Sequence, residues 1–480
     1  MKNCNYVAGQ WVAGEGSIKN INPSDTNDVI DEYANATSQQ LNDAVESAQL
    51  AQKKWEHVGI EKRANILHNI GSELIKQSKE IGTLLSREEG KTLPEGIGEV
   101  VRSGQQFQYY AASALRQFGE NIASTRDGVS VEMTREPVGV CGIISPWNFP
   151  IAIAAWKSAP AIAFGNAIVL KPASQTPASA IALTKIISEQ KDIPEGLFNL
   201  VLGGGGTIGH QISSHVNINA ISFTGSVGVG QTIYLEAAKS MKKMQLEMGS
   251  KNPLVVMDDA DLNIAVACAT NGAYGGTGQK CTASSRLIVH EKVYKEFNEK
   301  LIESISSLKV GHALDEGSQM GPVSSETQLQ SNLNYIEIGK NEAKLAYGGN
   351  PMNMRTPGHY MEPTLFIDGD NKSTINQEEM FGPIACVIPV KSYEEGLEVA
   401  NDTIFGLSSG IITQSLSKAA DFKKNIKTGV TTVNLPTAGL DYHVPFGGRK
   451  ASSFGPREQG TYAHDFFTHV KTTYVSPGKI

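Results

Sequence analysis

Cys281 closes the run Gly276-Thr277-Gly278-Gln279-Lys280-Cys281, where two glycines let the backbone approach a bound ligand closely and a lysine stands beside the sulfur. A neighbouring cation favours the thiolate, the form in which cysteine acts as a nucleophile. By itself such a residue reads as a buried, inert thiol. What separates it from Cys4, Cys141, Cys268 and Cys386 is its company: Asn148 within Ser145-Pro146-Trp147-Asn148-Phe149-Pro150, and Glu247 within Leu246-Glu247-Met248-Gly249. A thiolate, an amide that can donate to an oxyanion and a carboxylate base together support acyl chemistry. None of the ten histidines stands in a spacing that pairs with Cys281, so a Cys-His hydrolase is the weaker reading. His210, His215, His290 and His443 show no H-x-x-x-H or similar ligand spacing, and no metal is implied.

A second group of residues suits a nucleotide. Lys171 follows the apolar run Ala167 to Leu170, placing a cation at the C-terminal end of a strand, where open α/β sheets bind ligands. Phe198 to Leu202 runs into Gly203-Gly204-Gly205-Gly206-Thr207-Ile208-Gly209, and Ile221-Ser222-Phe223 into Thr224-Gly225-Ser226. Each glycine-rich turn precedes an expected helix whose first N–H groups could cradle a pyrophosphate. The spacing is not the G-x-G-x-x-G fingerprint. Gly90-Lys91-Thr92 lacks the earlier glycine of a phosphate loop and reads as a structural turn. Phe107, Tyr109, Tyr110 and Trp156 could line a pocket, although aromatic residues at helical spacing fit a core equally well.

The elements that must hold these residues follow from periodicity. Leu41, Ala44, Ala48, Ala64, Leu67, Ile70 and Leu74 recur at helical spacing, predicting helices from Ser38 to about Gly119. Val129 to Glu136 alternates as a strand. Apolar bursts then alternate with helical segments at Val138 to Ser145, Ala167 to Lys171, Phe198 to Leu202 and Ala220 to Phe223. The pattern restarts at Pro253 to Met257, Arg286 to His290, Ala385 to Val390, Gly410 to Thr413 and Thr431 to Asn434. Strands spaced by helices imply parallel sheets in two α/β domains. Phe466 to Val475 and Val129 to Glu136 read as exposed edges that find a partner chain.

Composition narrows the class. A chain of 480 residues with 40% hydrophobic and 19% charged residues is globular and long enough for two or three domains. A net charge of −7 without a basic block argues against nucleic acid. Five cysteines without a C-x-x-C pair suit a reducing compartment. Met1 to Ser17 reads as no signal peptide and no apolar run reaches the roughly 18 residues of a membrane span, so a cytoplasmic location is expected.

Taken in order, Pro146 to Pro150, Phe223 to Ser226, Leu246 to Gly249, Gly278 to Cys281, Glu378-Glu379-Met380-Phe381-Gly382-Pro383 and Pro445-Phe446-Gly447-Gly448-Arg449-Lys450 resemble the aldehyde dehydrogenase superfamily, as does the stretch Arg457 to Gly460. The resemblance implies an α/β fold of two Rossmann-like domains, cofactor-binding (1–117 and 138–248) and catalytic (249–450), plus a small β oligomerisation arm (118–137 and 460–480). It implies that Cys281 attacks an aldehyde, that Asn148 and the Cys281 N–H hold the oxyanion, and that a mobile Glu247 activates the hydrolytic water. Lys171, placed in both the catalytic and cofactor sets, would hold the adenine ribose; Trp147, Thr224, Gly225 and Ser226 the pyrophosphate, with Gly205 and Gly209 nearby; Glu379 and Phe381 the nicotinamide ribose. Ser174 stands where relatives strict for NAD often have a glutamate, so NADP is expected, with NAD possible. Ser250 and Ser453 replace usual glycines, and both are expected to be tolerated. The stretches Gly278 to Arg286 and Asn434 to Gly448 look most like 2-oxoglutarate semialdehyde dehydrogenases. Trp156 replaces the arginine of succinate semialdehyde enzymes. Arg102 and Lys280 are the expected carboxylate partners, and Tyr110, Trp156, Thr282 and His443 complete the expected substrate site. A sugar-derived aldehyde such as 3,6-anhydrogalactose remains open, as do an acylating enzyme or a structural relative, although retention of Glu247 favours hydrolysis. A homo-oligomer, dimer or tetramer, is expected.

Overall fold

Apolar runs bounded by glycine turns become the buried strands of two sheets. The computed structural model describes residues 4–116 and 119–478; the expected boundary at 117/118 and the outermost residues of the chain lie outside them. The first sheet runs in the order Ser453–Phe454, Lys243–Glu247, Ala220–Thr224, Val140–Ile144, Ala167–Lys171, Phe198–Leu200, Asn5–Val7, Gln10–Val12. Its five middle strands are parallel, and antiparallel strands close both edges. Val140–Ile144 comes first in sequence among the parallel strands and lies between Ala167–Lys171 and Ala220–Thr224. The order therefore reverses at Val140–Ile144, and the loops after it and after Ala220–Thr224 part to leave a crevice, the usual ligand position in such sheets.

The second sheet runs Lys344–Tyr347, Thr364–Ile367, Ile384–Val390, Arg286–His290, Pro253–Val256, Ser408–Ile412, Val430–Val433, parallel except at the first strand. Both sheets are covered by helices, which is why their central strands read as unbroken apolar runs. The first apolar core draws on residues from Cys4 to Met248 and on Ala463, Phe466 and Phe467; the second sheet has cores of its own.

Helices Ser38–Glu56, Ile60–Lys76, Ser78–Glu89 and Leu93–Ala114 form the expected helical lead-in. Capping boxes at Thr37 with Gln40 and Thr92 with Glu95 satisfy the first N–H groups of the first and last of them. The two segments expected to be unpaired edges pair with each other: Thr468–Val475 lies antiparallel to Ser130–Pro137, which pairs on its other side with Gly119–Ala123. The strand expected from Phe466 begins at Thr468, because Phe466 and Phe467 sit in the short helix His464–Phe467 and are buried in the first core.

Candidate active site

The loops at the crevice bring the expected nucleotide residues together. A cavity of about 220 Å³ is lined by Trp147, Asn148, Thr224, Gly225, Ser226, Gly249, Cys281, Glu379 and Phe381, among others. Trp147 meets Phe381 edge to face, with centroids 5.3 Å apart. Among the described residues, Ser226, the N-cap of helix Val227–Ala238, makes no side-chain capping bond, and the buried Thr224 hydroxyl has no partner. Both features suit a polar ligand bearing an anion at this helix start. Glu379 Oε1 accepts from Ser250 N at 2.8 Å, and burial raises its carboxyl to about 7. Gly249 leaves room for this carboxyl, since a Cβ there would lie 2.2 Å from Glu379 Oε2 and push it aside.

Away from this cavity, Lys171 ends its strand against the glycine turn, with its side chain 3.6 Å from an ideal Cβ on Gly209. Its Nζ donates to Pro172 O at 2.7 Å, and burial lowers the ammonium to about 8. Ser174 Oγ donates to Gly203 O at 3.1 Å, and Gly205 lies exposed in the same turn. Lys171, Ser174, Gly205 and Gly209 thus share one corner. Lys171 does not line either cavity that Cys281 lines, so the geometry does not place it among the reacting groups. Its strand lies beyond Val140–Ile144, on the side away from Ala220–Thr224 and the crevice.

Gly278 positions the nucleophile. At φ +66° an ideal Cβ would sit 2.1 Å from Gly382 O, so only glycine lets the Cys281 loop pack against the segment carrying Glu379. Asn148 Nδ2 donates to Gln279 O at 2.9 Å, bringing the amide to the same loop. The surroundings of Cys281 favour the thiol over the thiolate that an adjacent lysine would favour. Burial first, then the carboxyls of Glu379, Glu247 and Glu458, push it up to about 12. Lys280 does not offset them: burial lowers its ammonium to about 8, and its Nζ donates to Asn271 O at 2.9 Å.

Glu247 ends strand Lys243–Glu247, and burial followed by the nearby Glu458 raises its carboxyl well above the ordinary range. Glu458 is ion-paired to Lys157, whose Nζ also donates to Ser222 Oγ at 2.8 Å. Ser453 Oγ donates to Glu247 Oε2.

On the other side of Cys281 a second cavity of about 390 Å³ is lined by Lys91, Glu95, Glu99, Arg102, Phe149, Trp156, Lys280, Thr282, Leu440, Phe446 and Gln459, among others. Cys281 therefore stands between two cavities. Arg102, Trp156, Lys280 and Thr282 lie in the channel as expected. Trp156 packs on Phe446 at 5.7 Å. Tyr110 and His443 are not brought there: Tyr110 is fully buried with its hydroxyl donating to Gly460 O at 3.1 Å, and His443 is exposed beside Tyr442. Phe107 is likewise core.

Lys91, read from sequence as part of a plain turn, is a site residue. Its Nζ donates to Glu99 Oε2 at 2.7 Å and to Asn148 O at 2.6 Å and lies 4.1 Å from the Phe149 ring centroid. Glu99 Oε1 accepts from Ile151 N and Ala152 N at 3.1 and 3.0 Å. A lysine in a turn followed eight residues later by a glutamate within a helix is too common a pattern to single them out. Among the described residues there is no cluster of metal-ligating side chains.

The chain matches the model of the aldehyde dehydrogenase family over residues 11–473. It is 41% identical to an alpha-ketoglutaric semialdehyde dehydrogenase of Bacillus subtilis, with 98% of each chain covered. Identity is 38% to a 2,5-dioxopentanoate dehydrogenase of Saccharolobus solfataricus, with 99% of each covered. A crystal structure of betaine aldehyde dehydrogenase from Staphylococcus aureus in complex with NAD+ superposes with a TM-score of 0.96 at 31% identity, covering 100% of this chain and 95% of that one.

Proposed function

The chain belongs to the aldehyde dehydrogenase family, and from that premise we propose that this NAD(P)-dependent enzyme oxidises 2-oxoglutarate semialdehyde (2,5-dioxopentanoate) to the dicarboxylate. The observation that carries the substrate is the pair of cations, Arg102 and Lys280, lining the channel that ends at Cys281. Among the described residues no hydrogen bond or ion pair within 4 Å engages the Arg102 guanidinium, so its N–H groups are open to a substrate carboxylate, with Asp441 acting on it only from farther away. The names of the relatives point the same way.

In this reading the Cys281 thiol loses its proton to water, the thiolate sulfur bonds to the aldehyde carbon, and the carbonyl oxygen becomes an oxyanion that accepts from Asn148 Nδ2 and the Cys281 N–H. An oxyanion donor supplies roughly 3–4 kcal/mol of barrier reduction. The nicotinamide, when bound, supplies the hydride acceptor. Trp147, Thr224 to Ser226, Glu379 and Phe381 would hold that cofactor, with Lys171, Ser174, Gly205 and Gly209 at its adenosine end. Loss of hydride leaves a thioester on Cys281. Glu247 then takes a proton from water as the water oxygen adds to the thioester carbon, the C–S bond breaks, and the carboxylate departs with the thiol restored. NADP is the preferred form in our reading, because Ser174 brings no charge to repel a 2′-phosphate and Lys171 offers a cation beside it.

The first sheet with its helical lead-in would serve the cofactor, and the second sheet the acyl chemistry. The three-stranded arm would join copies of the chain through the exposed Val470, Tyr474 and Val475. Five unpaired cysteines suit a reducing, cytoplasmic setting. A sugar-derived aldehyde is the second reading, favoured by the Trp156 ring in the channel.

Initial rates of NADPH and NADH formation on 2-oxoglutarate semialdehyde, succinate semialdehyde, 3,6-anhydrogalactose and uncharged propanal, with Cys281→Ala as blank, test the proposal. We expect the highest kcat/KM on 2-oxoglutarate semialdehyde. Arg102→Gln should raise its KM roughly 10- to 100-fold, the worth of one charge-assisted hydrogen bond. Equal rates on propanal that ignore Arg102→Gln overturn the assignment.

A further inference from the structure

Ser453 stands where the family pattern usually has glycine, and its hydroxyl is held in one orientation. Gly448 N donates to Ser453 Oγ at 2.6 Å, so the hydroxyl hydrogen is directed to Glu247 Oε2. The backbone fixes the match, because Ser453 and Glu247 are opposite residues of the antiparallel edge pair. The other carboxyl oxygen lies against the Gly447–Gly448 turn, 2.7 Å from where a Gly447 Cβ would be. Hence the turn and the edge strand form a seat for the carboxyl.

Resting on the reading of Glu247 as the hydrolytic base, we propose that Ser453 is a positioning residue: it holds Glu247 in this seat while the thioester forms, and breaking its hydrogen bond is the step that frees the carboxyl for hydrolysis.

Other charges face the same carboxyl. Glu458, Lys157 of helix Ala152–Ala163, Arg457 and, across the site, Cys281 all act on it. Burial and Glu458 favour the protonated acid, while the Ser453 hydroxyl, Lys157 and Arg457 favour the carboxylate. A glycine or alanine at 453 removes one of the groups favouring the charge and the tether together. The two losses have separable signatures: the acid limb of hydrolysis moves to higher pH, and above that limb hydrolysis runs faster because no bond must break first.

The test uses the full-length protein with p-nitrophenyl acetate as an acyl donor, which loads Cys281 without a nicotinamide. Deacylation of the acetyl-enzyme is followed against pH for the parent, Ser453→Ala, Ser453→Gly, Ser453→Thr and Glu247→Gln. We expect the acid limb to move up by about one pH unit in Ser453→Ala and Ser453→Gly, with a several-fold faster plateau, and to return toward the parent in Ser453→Thr, which restores the hydroxyl. An unmoved limb and plateau in both the alanine and glycine variants, with Glu247→Gln blocking deacylation, overturns the role of Ser453 and leaves the base assignment standing. If Glu247→Gln deacylates like the parent, the base reading fails and the proposal falls with it.

Discussion

Lys91→Met removes the cation from a buried pair in which the lysine side chain is 5% and the Glu99 side chain 2% exposed. Breaking such a pair from one side costs about 3–5 kcal/mol, because the remaining charge stays out of water without its partner. Glu99 would keep only the N–H groups of Ile151 and Ala152. Set against a total stability of roughly 5–15 kcal/mol, that loss is large. A second effect reaches the chemistry: Asn148 O loses its 2.6 Å anchor, so its amide is no longer fixed toward the Cys281 loop. A displacement of about 1 Å can cost roughly 100-fold in rate. The assay is the midpoint of urea unfolding together with kcat on a saturating aldehyde. Lys91→Met/Glu99→Gln provides the control, since the glutamine Oε1 can still accept from Ile151 and Ala152 while neither charge of the Lys91–Glu99 pair remains, and loss of Lys91 drives the buried Glu89, 3.9 Å from it in the parent, further toward its neutral acid. We expect the double variant to regain much of the stability but not the rate. A single variant that unfolds within about 1 kcal/mol of the parent and keeps its kcat would refute the reasoning.

Three further outcomes follow from the site. Asn148→Ala should lower acylation roughly 100- to 1,000-fold with a smaller change in cofactor affinity, as measured by the burst of reduced nicotinamide. Ser174→Glu should weaken NADP binding roughly 10- to 100-fold in a fluorescence titration while leaving NAD within a few-fold, since one carboxylate then faces the 2′-phosphate. Burial holds Lys171 at about 8, so its positive charge is present below that pH and lost above it; NADP affinity should fall as pH rises from 7 to 9, and Lys171→Met should flatten that slope.

Much of the scaffold is legible because both sheets are covered on both faces. Ala167–Lys171 and Arg286–His290 fall where their apolar runs predict, and the neighbouring strands differ only at their ends. The strands Asn5–Val7, Gln10–Val12, Glu15–Ile21 and Val29–Asn35 escape because they are short or half exposed and their partners are distant in sequence or equally polar. At the site, Cys281, Asn148 and Glu247 carry recognisable local patterns. Lys91 and Glu99 do not, since their meaning comes from the Asn148 carbonyl and the Ile151 and Ala152 amides far along the chain. The acidic surroundings of Cys281 are equally hidden. Lys280 is adjacent in sequence, but burial weakens its ammonium, which gives one hydrogen bond to Asn271 O, whereas the opposing Glu247, Glu379 and Glu458 arrive from three separate segments.

Strand Ser453–Phe454 completes the edge of the first sheet beside Glu247, and Glu458 follows it into the interior. During synthesis, therefore, the ribosome releases the Cys281 loop well before the segment that seats its carboxyl partner. A nascent chain ending short of residue 453 has the nucleophile but no seat for the base, and strand Lys243–Glu247 can pair with Ala220–Thr224 while its other edge is still open. Limited proteolysis of chains released with and without the segment from Ser453 onward would read this order directly, with full protection of Lys243–Glu247 acquired only when the edge strand is present.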